Sequence, residues 1–303
     1  MRPIPKFDVT CDLSGWLTVD KPSGITSARA IARVKKCFNL KRRFKVGHAG
    51  TLDPLATGVL PVAMGEATKV VRYVTNAKKT YTVSVKWGEA TDTDDADGKI
   101  INKTAIIPNK RQIIAALPSF TGKIKQIPPN YSAVKVKGKR AYILAREDIE
   151  LNLKPREVMV DKFVLDQFGG DSSHFIIDCG KGTYVRALVR DLALAMGSLG
   201  HVTSLRRTRV GPFRQEISIS LDNLDSLRHS AARLELLFPV DYALADIPAL
   251  ELTEIQAANL SSGQQVAYPF SGRGLVRAKS GSRLVAMAEA DGSWLRPTRV
   301  FNH

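Results

Sequence analysis

At 303 residues and 44% hydrophobic content, the chain is long enough to bury a core in one large or two smaller domains, which excludes disorder as the default. Lys and Arg number 45 against 29 Asp and Glu, giving +16 and a pI near 9.9, a balance that suits an anionic partner, nucleic acid first. Cys11, Cys37 and Cys179 are too far apart for zinc spacing or a disulfide framework, residues 1–14 lack the apolar centre of a signal peptide, and no apolar run reaches the roughly 20 residues that span a bilayer. A cytoplasmic protein with reduced thiols and no metal is expected.

Residues 15–22 read as a short strand and turn. Ser27 then caps a helix with Ala28, Ile31, Val34 and Phe38 at helical spacing and a basic outer face. Arg33, Lys35, Lys36, Lys41, Arg42, Arg43 and Lys45 lead into a run, residues 47–61, in which Asp53 is the only acid. Glycines at both ends suit tight turns, and Pro54 biases Asp53 toward an extended backbone, so this carboxylate sits on a stiff loop. An Asp-Pro pair alone is an ordinary turn opener; the length of the run is what sets this one apart.

Residues 66–74 read as a helix with Val70, Val71 and Val74 inward and Lys69 and Arg72 outward. The clearest strand follows, with Tyr81, Val83, Val85 and Trp87 alternating against Thr80, Thr82, Ser84 and Lys86. The acidic run 91–98 fails as an EF-hand, because threonine would stand at both ends of the calcium loop, and it reads as a solvated hairpin end.

A short helix around residues 113–117 precedes a stretch, 127–142, that interleaves basic and aromatic residues, a composition suited to clamping RNA. Strands at 156–166 and 174–179 are joined by a Gly-Gly-Asp-Ser-Ser turn. The helix after Gly180-Lys181-Gly182 has an apolar stripe of Val185, Leu188, Val189 and Leu192, with Arg186 and Arg190 one turn apart on another face. The glycines lack Walker A spacing. Arg206, Arg207 and Arg209 form a second basic cluster, a helical stretch covers 231–237, and strand candidates at 274–278 and 284–289 close the chain.

The run 47–61, the Lys79-Thr80-Tyr81 element, Gly182-Thr183-Tyr184 followed by Arg186, and Asp20-Lys21-Pro22 together resemble the TruB family of tRNA pseudouridine synthases over roughly residues 15–225. The resemblance implies an α+β fold, a large mixed, mostly antiparallel sheet flanked by helices, plus a small C-terminal PUA-like β-barrel. It places a catalytic domain at 1–240, with a thumb-like RNA clamp at about 123–152, and an RNA-binding domain at 241–303. The implied activity is isomerisation of uridine 55 in the tRNA T-loop, by base flipping and exchange of the N-glycosidic bond for a carbon bond.

The resemblance assigns Asp53 as the catalytic carboxylate, either nucleophile at the sugar carbon or base toward a sugar proton, with Arg186 its ion-pair partner and Tyr81 the ring that stacks the base and moves a proton. His48, Tyr184, Leu205 and Lys21 are the implied substrate-binding residues. The implied partner is the tRNA T stem-loop, with no cofactor, no obligatory protein partner, and a monomer. Asp148 stands where the resemblance implies a glycine. Two rival readings keep the scaffold: a non-catalytic tRNA-folding protein, and the catalytic subunit of an RNA-guided synthase.

Overall fold

The computed structural model describes residues 13–302 apart from Lys137 and Asp148, so the expectations for Cys11, Asp148 and most of residues 1–14 lie outside the described residues. Ten strands form one sheet. Its path runs Ile219–Ser220, Gly15–Lys21, Thr57–Met64, Gly200–Val210, Lys79–Trp87, Ser172–Cys179, Arg156–Phe168 and Gly122–Gln126, with Val46–His48 and Phe213–Arg214 as side branches. Most neighbours are antiparallel; the parallel contacts are 15–21 with 219–220 and a two-pair seam of Arg206 with Thr57 and Arg207 with Gly58.

Gly58 explains why the seam is so close. Its φ is +98°, and a Cβ there would lie 2.2 Å from the Arg207 carbonyl oxygen, so only glycine lets the two backbones meet. The strand carrying Arg207 is thereby pressed against the end of the Asp53 loop.

Alternation along the strands separates two cores. Tyr81, Val83, Val85 and Trp87 join Leu17, Val19, Leu60 and Val62 on one face, covered by the helices Ser27–Cys37, Lys110–Ala116 and Val185–Ala195. Trp16, Val59, Val210 and Phe213 lie on the other, where Leu284, Met287 and Phe301 of the C-terminal region pack against them. That region curls into a half-barrel sheet ordered Ala249–Glu251, Gly274–Ser280, Arg283–Ala290, Trp294–Val300 and Val266–Ala267, the PUA-like element, with the helix Glu254–Ser261 across it.

Several local expectations are corrected. Thr26, not Ser27, caps the first helix through its hydroxyl, and Ala28 is exposed; Val34 and Phe38 are buried as expected, with Ala30 and Cys37 beside them. Residues 65–70 form a 3₁₀ helix before an α-helix at Val71–Asn76, and Lys69 points not outward but to Glu66 and the Val300 carbonyl. The strands Arg156–Phe168 and Ser172–Cys179 absorb both serines of the expected turn, and the stretch near 231–237 yields only a 3₁₀ turn, Ala231–Leu234. The acidic run is only partly solvated: Asp97 is exposed, but Asp95 is 4% exposed and pairs with Arg186 of the helix Val185–Ala195.

Candidate active site

The Asp53 loop is held by cations it does not need for charge balance. Lys21, fully buried, donates to the carbonyls of Pro22, Ile25 and Pro54 at 2.8, 2.8 and 3.2 Å. From the other side Arg207, 1% exposed, donates to Val59, Gly50 and Thr51 at 2.8, 3.0 and 3.4 Å. The Ser27 hydroxyl exchanges hydrogen bonds with both backbone groups of Leu52. Carbonyls on both sides of Asp53 are thus fixed by groups from three elements, which leaves the carboxylate little freedom of placement.

Arg186 meets that carboxylate at 2.9 Å, Nη2 to Oδ2. It sits in the first turn of the helix Val185–Ala195 and is 4% exposed. Its Nη1 donates to the Thr93 carbonyl at 2.6 Å and lies 3.4 Å from Asp95, while Nη2 also donates to the Tyr131 carbonyl at 2.9 Å. A guanidinium this buried needs acceptors: the acidic run supplies those of Nη1, Tyr131 and Asp53 those of Nη2, and Nε is buried without one. Burial pushes the Asp95 carboxyl up from its ordinary range, opposed by its hydrogen bond from Thr93 and by Arg186.

A cavity of about 230 Å³ opens beside the pair. Asp53, Tyr81, Tyr184, Arg186 and Leu205 all line it, together with Lys79, Lys181 and Arg207. The helix start is pinned by the Gln126 side chain, which both donates to and accepts from the Tyr184 backbone. Tyr81 is opposite Arg207 in the sheet register, and Leu205 is opposite Val83. Burial pushes the Tyr81 phenol above its ordinary range, and Arg207 pulls it back. Burial and the same guanidinium hold the Lys79 ammonium down at about 8, although its protons reach the carbonyls of Thr75 and Ala77.

Two of the expected binding residues stand apart from the cavity lining. Lys21 supports the loop from beneath, and its ammonium, lowered to about 8 chiefly by burial, is committed to the three carbonyls. His48 ends the strand Val46–His48, its Nδ1 buried without a partner, and burial followed by Arg207 lowers its pKa. Of the second basic cluster, Arg207 reaches the cavity lining from the interior, while Arg206 forms a two-armed pair with Asp20 and Arg209 donates to the Gly211 carbonyl. Asp95, behind Arg186 and outside the cavity lining, and the places of Lys79 and Arg207 in that lining were not predicted. A buried arginine at 186 demands more than one acceptor, and that demand was the available signal for Asp95.

Among the described residues no three His, Cys, Asp or Glu side chains converge as a metal set, and no helix is long and apolar enough to cross a membrane. Residues 35–185 match the TruB family pseudouridylate synthase N-terminal domain, and residues 186–245 match the tRNA pseudouridylate synthase B C-terminal domain. The chain belongs to the TruB family. It is 48% identical to the tRNA pseudouridine synthase B of Rhodospirillum rubrum over 96% of this chain and 97% of that one. The Caulobacter vibrioides protein of the same name is 47% identical over 95% and 96%. A solved chain from an H/ACA RNP bound to a substrate RNA containing 2'-deoxyuridine superposes with a TM-score of 0.74 at 26% identity, covering 95% of this chain and 85% of its own. In this TruB-family chain the match runs from the basic residues before the Asp53 loop through both arginine-bearing elements of the cavity.

Proposed function

We propose that the protein isomerises uridine to pseudouridine in tRNA, at position 55 of the T-loop, with Asp53 as the reacting carboxylate. The observation that carries the reading is the Asp53–Arg186 pair at 2.9 Å on the wall of a cavity that also presents Tyr81. At about 230 Å³ the cavity is smaller than the roughly 300–1,000 Å³ of drug-sized sites, which suits one extruded base.

The reaction breaks the bond from N1 to the sugar carbon, turns the uracil, and joins C5 to that carbon; the C5 proton leaves and N1 ends protonated, so no atom is gained or lost. Asp53 acts at the sugar, and Arg186 fixes its orientation through a guanidinium that cannot lose its proton. Tyr81 stacks on the uracil and its phenolate oxygen takes the C5 proton; Arg207, by pulling the phenol down against burial, favours that ionised form. Tyr184 and Leu205 complete the walls. His48 fills the space the base vacates, and Lys21 serves the site by holding the Pro54 carbonyl.

Residues 1–240 form the catalytic unit in this reading, the basic segment at about 123–152 clamps the T stem-loop, and residues 241–303 extend the RNA surface. The enzyme works alone, as a monomer in the cytoplasm, without cofactor. The test is pseudouridine formation in an unmodified T-arm stem-loop with chelator present and no other protein or RNA, comparing wild type with Asp53→Asn. Turnover by wild type and a dead variant that still binds RNA support the reading. Binding without turnover by wild type overturns it in favour of a tRNA-folding or RNA-guided role.

A further inference from the structure

Arg190 repeats, one helical turn below, the arrangement of Arg186. Its Nη1 donates to Asp94 Oδ2 at 2.9 Å and its Nη2 to the Ile127 carbonyl at 2.8 Å, while Nε meets Asp191 at 2.9 Å. The two arginines therefore bridge the same two segments. Arg186 joins Thr93 and Asp95 to Tyr131; Arg190 joins Asp94 to Ile127. Only the upper rung reaches Asp53.

Asp94 is well made for the lower rung. Its φ is +61°, a left-handed backbone that aspartate tolerates better than most residues, and this turns its carboxylate toward the helix while its carbonyl accepts from Val202 and its own amide donates to Thr91. Burial pushes the Asp94 carboxyl up and Arg190 pulls it down, so the pair depends on both members.

We propose that Arg190 and Asp94 are positioning residues for the reaction: their ion pair braces the acidic run and the 127–131 segment against the helix, so that Arg186 is presented to Asp53 in one orientation. This rests on the reading of Asp53 as the reacting carboxylate. Without the lower rung the acidic run keeps Arg186 and its backbone bonds to Val202, and the 127–131 segment keeps Arg186 and the Gln126–Tyr184 bonds at its start, so the stretch that faces Arg186 is held at fewer points and can shift. That guanidinium then shares its protons differently among Asp95, Tyr131 and Asp53. A small misplacement of a reacting group is enough to cost one to two orders of magnitude in rate.

The test measures single-turnover pseudouridine formation at saturating T-arm RNA for Asp94→Asn, Arg190→Gln, the double variant and Arg190→Lys, with deuterium uptake over residues 91–96 and 127–133. Asparagine keeps the left-handed backbone and removes only the charge, so Asp94→Asn stays interpretable if Arg190→Gln folds poorly. The expected result is a loss of about tenfold in each single variant, no further loss in the double, partial recovery with lysine, and faster uptake in both segments together. An unchanged rate, losses that multiply in the double variant, or a deficit cured by more RNA overturns the proposal. Should wild type make no pseudouridine, the reading of the site fails instead, and uptake alone decides the brace: faster exchange in both segments upholds it, unchanged exchange ends it.

Discussion

Arg186 and Arg207 are both buried guanidiniums on the wall of one cavity, yet they are compensated in opposite ways. Arg186 faces two carboxylates, Asp53 and Asp95, at 2.9 and 3.4 Å. Arg207 faces no carboxylate: it donates to the carbonyls of Gly50, Thr51 and Val59 and lies beside the Tyr81 phenol. The first is a pair whose geometry matters to the anion it holds; the second is a standing positive charge whose field reaches its neighbours. Tyr81 and His48 are both pulled down by Arg207, and so are Lys21 and Lys79. The cavity thus has a neutralised half that orients a carboxylate and a cationic half that favours anionic groups.

That division makes a graded set of expectations. Asp53→Asn removes the proposed reacting group and leaves the scaffold; turnover is expected to fall by at least about a thousandfold, about 4 kcal/mol of barrier, while RNA binding measured by filter retention persists. Tyr81→Phe keeps the ring and loses the phenol; a drop of about 10² to 10⁴ in the single-turnover rate is expected, and full activity would end the proton-transfer role. Arg186→Lys keeps the charge but loses the fork that serves Asp53, Asp95, Thr93 and Tyr131 at once. A loss of about a hundredfold in kcat, with little change in KM, is expected.

Arg207 tests the comparison from the other side. Arg207→Met takes this donor from the carbonyls of Gly50, Thr51 and Val59, and unfolding by heat should show a loss of about 3 kcal/mol. At roughly 2–4 °C per kcal/mol for a chain of this size, Tm drops by about 6–12 °C. If instead Tm holds and only kcat falls, the two arginines are alike in role and the contrast drawn between them is wrong.

Much of this was legible in residue order, and for identifiable reasons. Alternation exposed the 79–87 strand because one face is buried and the other is not, and the run around Asp53 stood out because its glycines and prolines serve a particular backbone, as Gly58 shows. The acidic run 91–98 misled because composition reports charge and not its partner: Asp94 and Asp95 find theirs about 90 positions away on one helix. The burial of Arg207 was not legible, since a cation satisfied by backbone carbonyls leaves no complementary residue type to read. Ser27 was mistaken for a cap because its hydroxyl serves the distant Leu52 backbone, while Thr26 does the capping.

His48 offers the smallest and most delicate test. Its imidazole is lowered from 6.5 by burial and then by Arg207, with Nδ1 unpartnered. Below about pH 6.5 the unfolded chain therefore binds more protons at this position than the folded chain, so stability contributed by neutral His48 is complete above that value and is lost as pH falls toward the folded pKa. Replacing His48 with alanine should flatten this part of the stability profile between pH 5 and 7, and it should weaken turnover without abolishing it. If Arg207 is the standing charge described, Arg207→Met should flatten the same slope in part, because the repelling cation is gone while the burial remains. An unaltered slope in Arg207→Met would confine that field to the cavity wall and leave burial as the sole cause of the His48 shift.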